Sequence, residues 1–399
     1  MICMHAFNDV GLDSKKTHVC RLHAETLIQQ IEYCTFFLGT VAAGGIFAGT
    51  NPSYTAYELA HAVKTADIKF FVVQPDLLPN VLKAAQQTGI PESHIFVFNV
   101  HDEPVPLNLR SWKWLQSQGE ADWERFDDDE RCKNTIAARL FSSGTTGLPK
   151  ALDMTHQNFI AQHTLVQEHK RRPFPIRRIV SNPVFHVSQV PRVRVSPLRG
   201  GYKSYVMRRF ELVTWMRYIK RYQITEINMV PMMVVTILNS GNPLVNTDTF
   251  ASVRSMSSGA GPLDSALQAR FQKLLRPDAP FNQAWGMSET TCICTMFYYP
   301  EMDSSGGVGR MLPNHDAKVV DDDGNDVTAY GVVGELCVRG PCIVARYYGN
   351  VQATSECWDT EGYFHTGDMA YISEKNRSWY IVDRKKVKYP ASTGSKNRY

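Results

Sequence analysis

The sequence predicts an α/β fold, with mixed or parallel sheets layered against helices and a smaller antiparallel β part near the end. Three observations predict it. Short apolar runs alternate with amphipathic stretches through most of the chain, as in strands buried on both faces and the helices that cover them. One such run, Ile136 to Phe141, leads straight into a loop of glycine and hydroxyl residues. From Gly306 onward, short alternating runs are separated by Asp/Gly turns, the mark of antiparallel pairing.

Each element has its own reason. Tyr33 to Tyr57 carries no charge, and Phe36 to Ala48 is strongly apolar. A membrane-spanning helix needs about 20 predominantly apolar residues. Gly39, Gly44, Gly45 and Gly49 interrupt this run and Asn51-Pro52-Ser53 ends it, so a buried helix and a short buried strand are expected. Lys69–Val73, Ile95–Phe98 and Ile136–Phe141 read as strands, and Pro79–Thr88 as a helix between the first two. Leu107–Asp129 is polar and rich in Trp and acidic residues, which predicts a surface helix and loop. Leu212–Tyr222 reads as a helix, Glu226–Met229 as a strand and Met232–Leu238 as a helix. Ala317–Val320, Glu335–Arg339 and Ser378–Val382 read as antiparallel strands. Lys170–Arg178, five basic residues around two prolines, is expected to be a solvated loop.

Composition bounds the function. With 399 residues, 43% hydrophobic and 21% charged, the chain can bury a large core in two or three lobes, which excludes a disordered or collagen-like chain. A net charge of +4, from 43 basic and 39 acidic residues, suits anionic small molecules and leaves no nucleic-acid footprint. The 9 cysteines include no CxxC pair, and Cys292-x-Cys294 has no second ligand pair at metal spacing. Reduced thiols in a cytoplasmic setting are expected. The first residues lack a secretory pattern, and the final Lys-Asn-Arg-Tyr is neither a peroxisomal nor an ER address.

The sharpest motif is Phe141-Ser142-Ser143-Gly144-Thr145-Thr146-Gly147-Leu148-Pro149-Lys150. Glycines let backbone N–H groups approach phosphate oxygens closely. Ser142, Ser143, Thr145 and Thr146 add hydroxyl donors and Lys150 adds a mobile positive charge. Thr155 has N-cap chemistry, so a helix should begin there. The Walker A spacing does not fit, because no Gly-Lys pair is present.

Ser143–Lys150 (SGTTGLPK) resembles the signature of the adenylate-forming, AMP-binding superfamily of acyl-CoA synthetases, 4-coumarate-CoA ligases and luciferases. Further segments resemble the family in its own order. Pro183–His186 would place His186 beside an acyl pocket. Ser258–Leu263, with Gly259 and Ala260, would pass the adenine and the acyl group. Ala284–Glu289 resembles an aromatic-Gly-x-Thr-Glu motif: Trp285 would stack on adenine, Gly286 would permit close approach, and Met287 and Ser288 would line the nucleotide. Glu289, with Thr146, would hold Mg²⁺. Gly331–Gly340 and Arg346–Asn350 match the β-rich region, the latter with a packing role. In Gly362–Asp368, Asp368 would accept from both ribose hydroxyls; Arg384 would reach the ribose and Lys386 would mark the hinge. The tone is closest to 4-coumarate-CoA-ligase-like acyl-CoA ligases, through Tyr205–Phe210 and Asn228–Pro231.

The resemblance implies a large N-terminal adenylate-forming domain over 1–383, N-terminally short, with stacked sheets and a small distorted β-barrel-like subdomain. Residues 384–399 would be a hinge and a residual tail in place of the family's α+β lid. It implies ATP, Mg²⁺ and coenzyme A acting with a small carboxylic acid, in secondary metabolism, on a monomer or weak homodimer with no nucleic acid and no membrane span. Lys150, Glu289 and His186 are the expected catalytic residues. The sequence departs at Pro191–Pro197, where two arginines and two prolines stand in place of an apolar helix, and at Ala151, which replaces a glycine. An acyl-CoA ligase and a weakly active or non-catalytic nucleotide-binding remnant both remain open at this stage.

Overall fold

The computed structural model describes residues 32–142 and 148–385, together with the backbone of 22–26. The first sheet has seven strands: β1 Leu22–Thr26, β2 Ile46–Gly49, β3 Phe70–Val73, β4 Ile95–Val97, β5 Arg110–Ser111, β6 Ile136–Ser142 and β7 Lys150–Thr155. Their order is β5-β4-β3-β1-β2-β6-β7, parallel except for the antiparallel β6–β7 edge. The second sheet is parallel throughout, in the order β12-β11-β10-β8-β9, from β8 Arg177–Val180, β9 Lys203–Val206, β10 Glu226–Met229, β11 Ser255–Ser258 and β12 Phe281–Gln283. β13 Thr295–Met296 and β14 Arg310–Met311 form a ribbon. β15 Asp316–Val320, β16 Gly334–Arg339, β17 Phe364–Ile372 and β18 Trp379–Arg384 form a four-stranded antiparallel sheet. That sheet is open: the barrel-like subdomain expected from sequence is not a closed barrel among the described residues.

Helices fill the spaces between layers. α1 (Tyr33–Ala42), which sends Tyr33, Phe36 and Phe37 into the core, and α4 (His156–His163) share a central core with Phe47, Phe96 and Val190. α2 (Ala56–Ala66) and α3 (Leu78–Thr88) cover the other face of the first sheet. α5 (Leu212–Arg221), α6 (Pro231–Asn239) and α7 (Ser265–Gln272) pack on the second sheet. α8 (Val351–Cys357) packs against the open sheet. β8 joins two cores by simple alternation: Val180 enters the central core and Ile179 the outer one. No helix among the described residues is long and apolar enough to cross a membrane, and α1 has only 10 residues.

The fold departs from the sequence reading at three places. Between the glycine-rich loop and the helix expected at Thr155 stands a strand that the sequence does not suggest. Lys150 opens β7, opposite Ser142 of β6, so the loop joins two antiparallel strands. The helix begins after β7, with Thr155 as its N-cap, in a capping box with Asn158. Leu107–Asp129 is not all surface: β5 lies within it, and Trp112 and Leu115 are buried in the central core. Pro191–Pro197 is helical despite its prolines and charges, and Arg194 is fully buried beneath the rings of Tyr33, Phe37 and Phe47. Its Nη2 donates to Val184 O at 2.8 Å. The seven described cysteines are free thiols, as expected.

Candidate functional site

The carboxyl ends of the parallel strands in the second sheet converge. β8 leads into Pro183–His186, β10 into Pro231, β11 into Gly259 and Ala260, and β12 into Ala284–Glu289. In open α/β sheets ligands bind outside these ends. The open antiparallel sheet brings Asp368, on β17, and Arg384, on β18, to the same place, where the two residues are register partners.

Trp285 joins the two units. Its ring is buried with Cys294, Val308 and Leu336, and its Nε1 donates to Asp368 Oδ2 at 2.8 Å. Asp368 Oδ1 lies 3.0 Å from Arg384 Nε. The Trp285 ring packs into the core of the open sheet, and its N–H orients a carboxylate. Each Asp368 oxygen has one partner, and a carboxylate oxygen can accept more than one hydrogen bond. Burial pushes the Asp368 carboxyl above the usual range, against the opposing pull of Trp285 and Arg384.

Glu289 lies in a single tight turn, Ser288–Thr290. Its Oε1 accepts from the Tyr347 hydroxyl at 2.9 Å, and its backbone carbonyl accepts from Val344 N at 2.9 Å. The Lys150 Nζ sits 4.6 Å from the centroid of the Tyr347 ring. One tyrosine thus spans the distance between the loop lysine and the acidic residue. Burial raises the Glu289 pKa, countered by Tyr347 and by the charges of Arg384 and Lys150. A desolvated carboxyl of this kind favours either a proton or a cation. No cluster of three or more His, Cys, Asp or Glu side chains suited to a metal exists among the described residues. Mg²⁺ needs no such cluster, since it takes one or two carboxylates plus phosphate oxygens and water. Glu289 fits that donor set.

The remaining expected residues divide. Ser142 is buried beside Lys150, whereas Ser143, Gly144, Thr145, Thr146 and Gly147 lie outside the described residues, and so does Lys386. Gly259 N donates to Met229 O at 3.2 Å, and Ala260 adopts a left-handed backbone with φ 66°. Met287 N donates to Thr290 Oγ1 at 3.0 Å, and Ser288 is buried. Gly286 is required by the chain's own packing. A Cβ there would stand 1.7 Å from the Cys292 carbonyl oxygen, so the close approach is to the chain's own backbone. His186 is exposed and caps the following turn, with Nδ1 accepting from Ser188 N at 3.2 Å. No contact joins it to the Lys150–Glu289 cluster among the described residues.

Sequence reasoning missed two participants. Tyr347 was expected only to pack, yet it contacts both Lys150 and Glu289. Glu335, in the matched Gly331–Gly340 segment, accepts from Gly367 N at 3.1 Å and pairs with Lys385 Nζ at 2.8 Å. It ties the turn before Asp368 to the end of β18. An acid in an otherwise apolar strand was the available signal.

The chain matches the family model described as AMP-binding enzyme over residues 26–348. It is 47% identical over 91% of its length to an acyl-CoA synthetase of Alternaria alternata, and spans 63% of that protein. It is 43% identical to an acyl-CoA ligase of Aspergillus niger, over 96% of its own length and 69% of the relative's. To 4-coumarate–CoA ligase 3 of Arabidopsis thaliana it is 30% identical, over 89% of its own length and 62% of the relative's. The fold resembles ATP-bound MatB of Rhodopseudomonas palustris with a TM-score of 0.80, at 23% identity, over 96% of this chain and 71% of that one. It also resembles a long-chain-fatty-acid-CoA ligase of Archaeoglobus fulgidus, TM-score 0.81 at 23% identity, over 96% of this chain and 75% of that one. With the parallel-strand termini, the loop lysine and the paired Asp368 and Arg384 in one place, and with this family match over most of its length, the chain belongs to the AMP-binding enzyme family.

Proposed function

We propose that this chain carries the nucleotide-handling part of an ATP-dependent acyl-CoA ligase, which joins a small carboxylic acid first to AMP and then to coenzyme A. The observation that carries this reading is the single connected cluster Lys150–Tyr347–Glu289 beside Trp285–Asp368–Arg384. The relatives in Alternaria alternata and Aspergillus niger, an acyl-CoA synthetase and an acyl-CoA ligase, support the reaction class.

In the first half-reaction a carboxylate oxygen attacks the α-phosphorus of ATP and pyrophosphate leaves. The nucleophile is already charged, so no general base is required. What the protein must supply is alignment and positive charge against the phosphates. Lys150 supplies a cation at the end of the glycine-rich loop. Mg²⁺, when held by Glu289 and Thr146, supplies further positive charge to the phosphate oxygens. Tyr347 holds Glu289 in orientation through its hydroxyl. Asp368 accepts the ribose hydroxyls, held by Trp285 on one oxygen and Arg384 on the other. The loop amides and hydroxyls of Ser143–Gly147 complete the phosphate cradle. Gly259, Ala260, Met287 and Ser288 border the nucleotide, and His186 stands on the acyl side. In the second half the coenzyme A thiol attacks the acyl carbon and AMP departs.

The domain reading goes with this proposal: an AMP-binding domain over 1–383 and a hinge from Arg384. Glu335, by gripping Lys385, ties the start of that hinge to β16.

The test is ATP–pyrophosphate exchange with a panel of aromatic and aliphatic carboxylic acids. Acid-dependent exchange is expected, and it should fall on Lys150→Ala. Measurable ATP binding with no exchange for any acid would leave only a nucleotide-binding protein and overturn the ligase reading.

A further inference from the structure

The opposite, N-terminal end of the second sheet carries a separate cavity of about 380 Å³. Arg171, Arg172, Arg177, Arg199 and Lys203 line it, against one carboxylate, Glu168. That carboxylate is already engaged: Arg199 reaches it through Nε at 2.9 Å and Nη2 at 3.2 Å, and His163 Nε2 lies 3.3 Å away. Among the described residues no carboxylate pairs with Arg171, Arg177 or Lys203. Arg177 and Lys203 are also register partners on neighbouring strands β8 and β9. Like charges placed directly across a ladder destabilise it unless something lies between them.

Behind Arg172, which lines the cavity, a buried cluster has the same imbalance. Glu226 serves three guanidinium groups, with Arg178 at 2.7 Å, Arg192 at 3.1 Å and Arg172 at 3.5 Å. The Arg172 side chain is 7% exposed, and its Nε is buried with no hydrogen bond. Burial and the neighbouring arginines pull Arg192 down to about 10. Three buried cations on one anion leave an uncompensated charge, which is costly in a low-dielectric interior. The segment expected to be a solvated loop, Lys170–Arg178, supplies much of this charge and buries Arg178 in it.

We propose that this cavity is a second anion site, which takes a small molecule bearing two or more phosphate groups. Guanidinium forks match phosphate oxygens, and the volume lies within the range of small-ligand pockets. Phe174 and Tyr202 line the same cavity, so the phosphates come either as inorganic pyrophosphate or on a nucleotide whose base rests on these rings. The site is distinct from the Lys150–Asp368 cluster, which lies at the other ends of the same strands.

The test is calorimetric titration of the full chain with pyrophosphate, without Mg²⁺. Three proteins are compared: wild type, Lys150→Ala, and the double variant Arg171→Glu/Lys203→Glu. Arg171 and Lys203 are exposed, so the double variant should fold, and an unchanged thermal midpoint checks this. Lys150→Ala is expected to keep the cavity's binding. The charge reversal should weaken that binding by more than about tenfold, because hydrogen bonds to charged groups are the strong ones. In a second arm, adenosine 3′,5′-bisphosphate replaces pyrophosphate: tighter binding assigns the occupant as a nucleotide, and equal or weaker binding assigns it as inorganic. The proposal is overturned if the double variant titrates like wild type. It is equally overturned if Lys150→Ala removes all pyrophosphate binding, since the only site would then be the one at Glu289.

Discussion

Asp368→Asn separates a ribose-binding role from a merely structural one. The substitution keeps the side-chain volume and one acceptor for the Trp285 N–H, so the 2.8 Å bond that joins the two sheets can persist. What it removes is negative charge. Arg384 is 56% exposed, so its ion pair with Asp368 contributes little to stability. The ribose contacts are different, because two hydroxyls share a carboxylate that is only 12% exposed. Hydrogen bonds to a charged group are worth about 1.5–3 kcal/mol each in net terms. Allowing for competition from Trp285 and Arg384, a loss of about 2–4 kcal/mol is expected, or about 30- to 1000-fold in affinity. The assay is calorimetric binding of ATP and of 2′,3′-dideoxy-ATP to both proteins. Wild type should prefer ATP strongly, and Asp368→Asn should bind the two alike. Because burial raises the Asp368 pKa, wild-type affinity for ATP should also begin to fall at a higher pH than an ordinary aspartate would dictate. An undiminished preference for ATP in the variant would refute the assignment of Asp368 to the ribose.

Other outcomes follow from the same geometry. Gly286→Ala forces a methyl to within 1.7 Å of the Cys292 carbonyl, so the turn carrying Glu289 must shift; a stability loss of at least about 1–3 kcal/mol and loss of exchange activity are expected, and normal activity would contradict the packing. Asp153 is fully buried between Arg139 and Arg346, each at 2.8 Å. Since Arg139 is itself buried, Asp153→Asn should cost about 3 kcal/mol in urea unfolding, and an unmoved midpoint would show that the pair is not stabilising. Hydrogen bonds to Cys337 and Glu335 raise His365 from 6.5 to about 10, so its stabilising contribution is complete below 6.5 and lost as pH climbs through 10. Burial works against ionised Glu335, but His365 and Lys385 prevail and lower it from 4.5 to about 2, so its contribution is complete above 4.5 and lost on acidification through 2. The difference in thermal midpoint between wild type and Glu335→Gln should therefore be largest between pH 4.5 and 6.5, and a difference flat across the whole range would count against the cluster. Lys150→Ala should weaken ATP binding while Lys170→Ala leaves it unchanged; equal affinities would remove Lys150 from the site.

Much of the architecture was legible because it is written in local pattern. Phe70–Val73 and Ile95–Val97 are runs of apolar residues without a polar face, and they became strands buried on both sides. Thr155 announced a helix start through its own side chain, and it caps α4. The strand at Lys150–Thr155 carries no such local signal, because it is short and holds Lys150 and Asp153 among its apolar residues. Trp112 reads as a surface residue because its neighbours in sequence are polar; its partners Phe36 and Phe98 belong to other elements of the fold.

The candidate site divides in the same way. Lys150, Glu289, Asp368 and Arg384 could be picked out one by one from short motifs, because each motif has a residue type that its chemistry requires. Their meeting could not, since it depends on strand register and on how the open sheet docks against the parallel one. Tyr347 shows the difference most plainly: alone it is the first of two tyrosines ahead of a glycine, and only in the folded chain does its hydroxyl reach Glu289 while its ring faces Lys150. The buried arginines make the same point for charge. Residues 170–178 and 191–197 read as solvated or disruptive, because a sequence shows how many charges a segment carries and not how much water they keep. Composition and periodicity decide what is locally favourable; desolvation and long-range pairing are properties of the assembled layers, so they arise only when the chain has closed on itself.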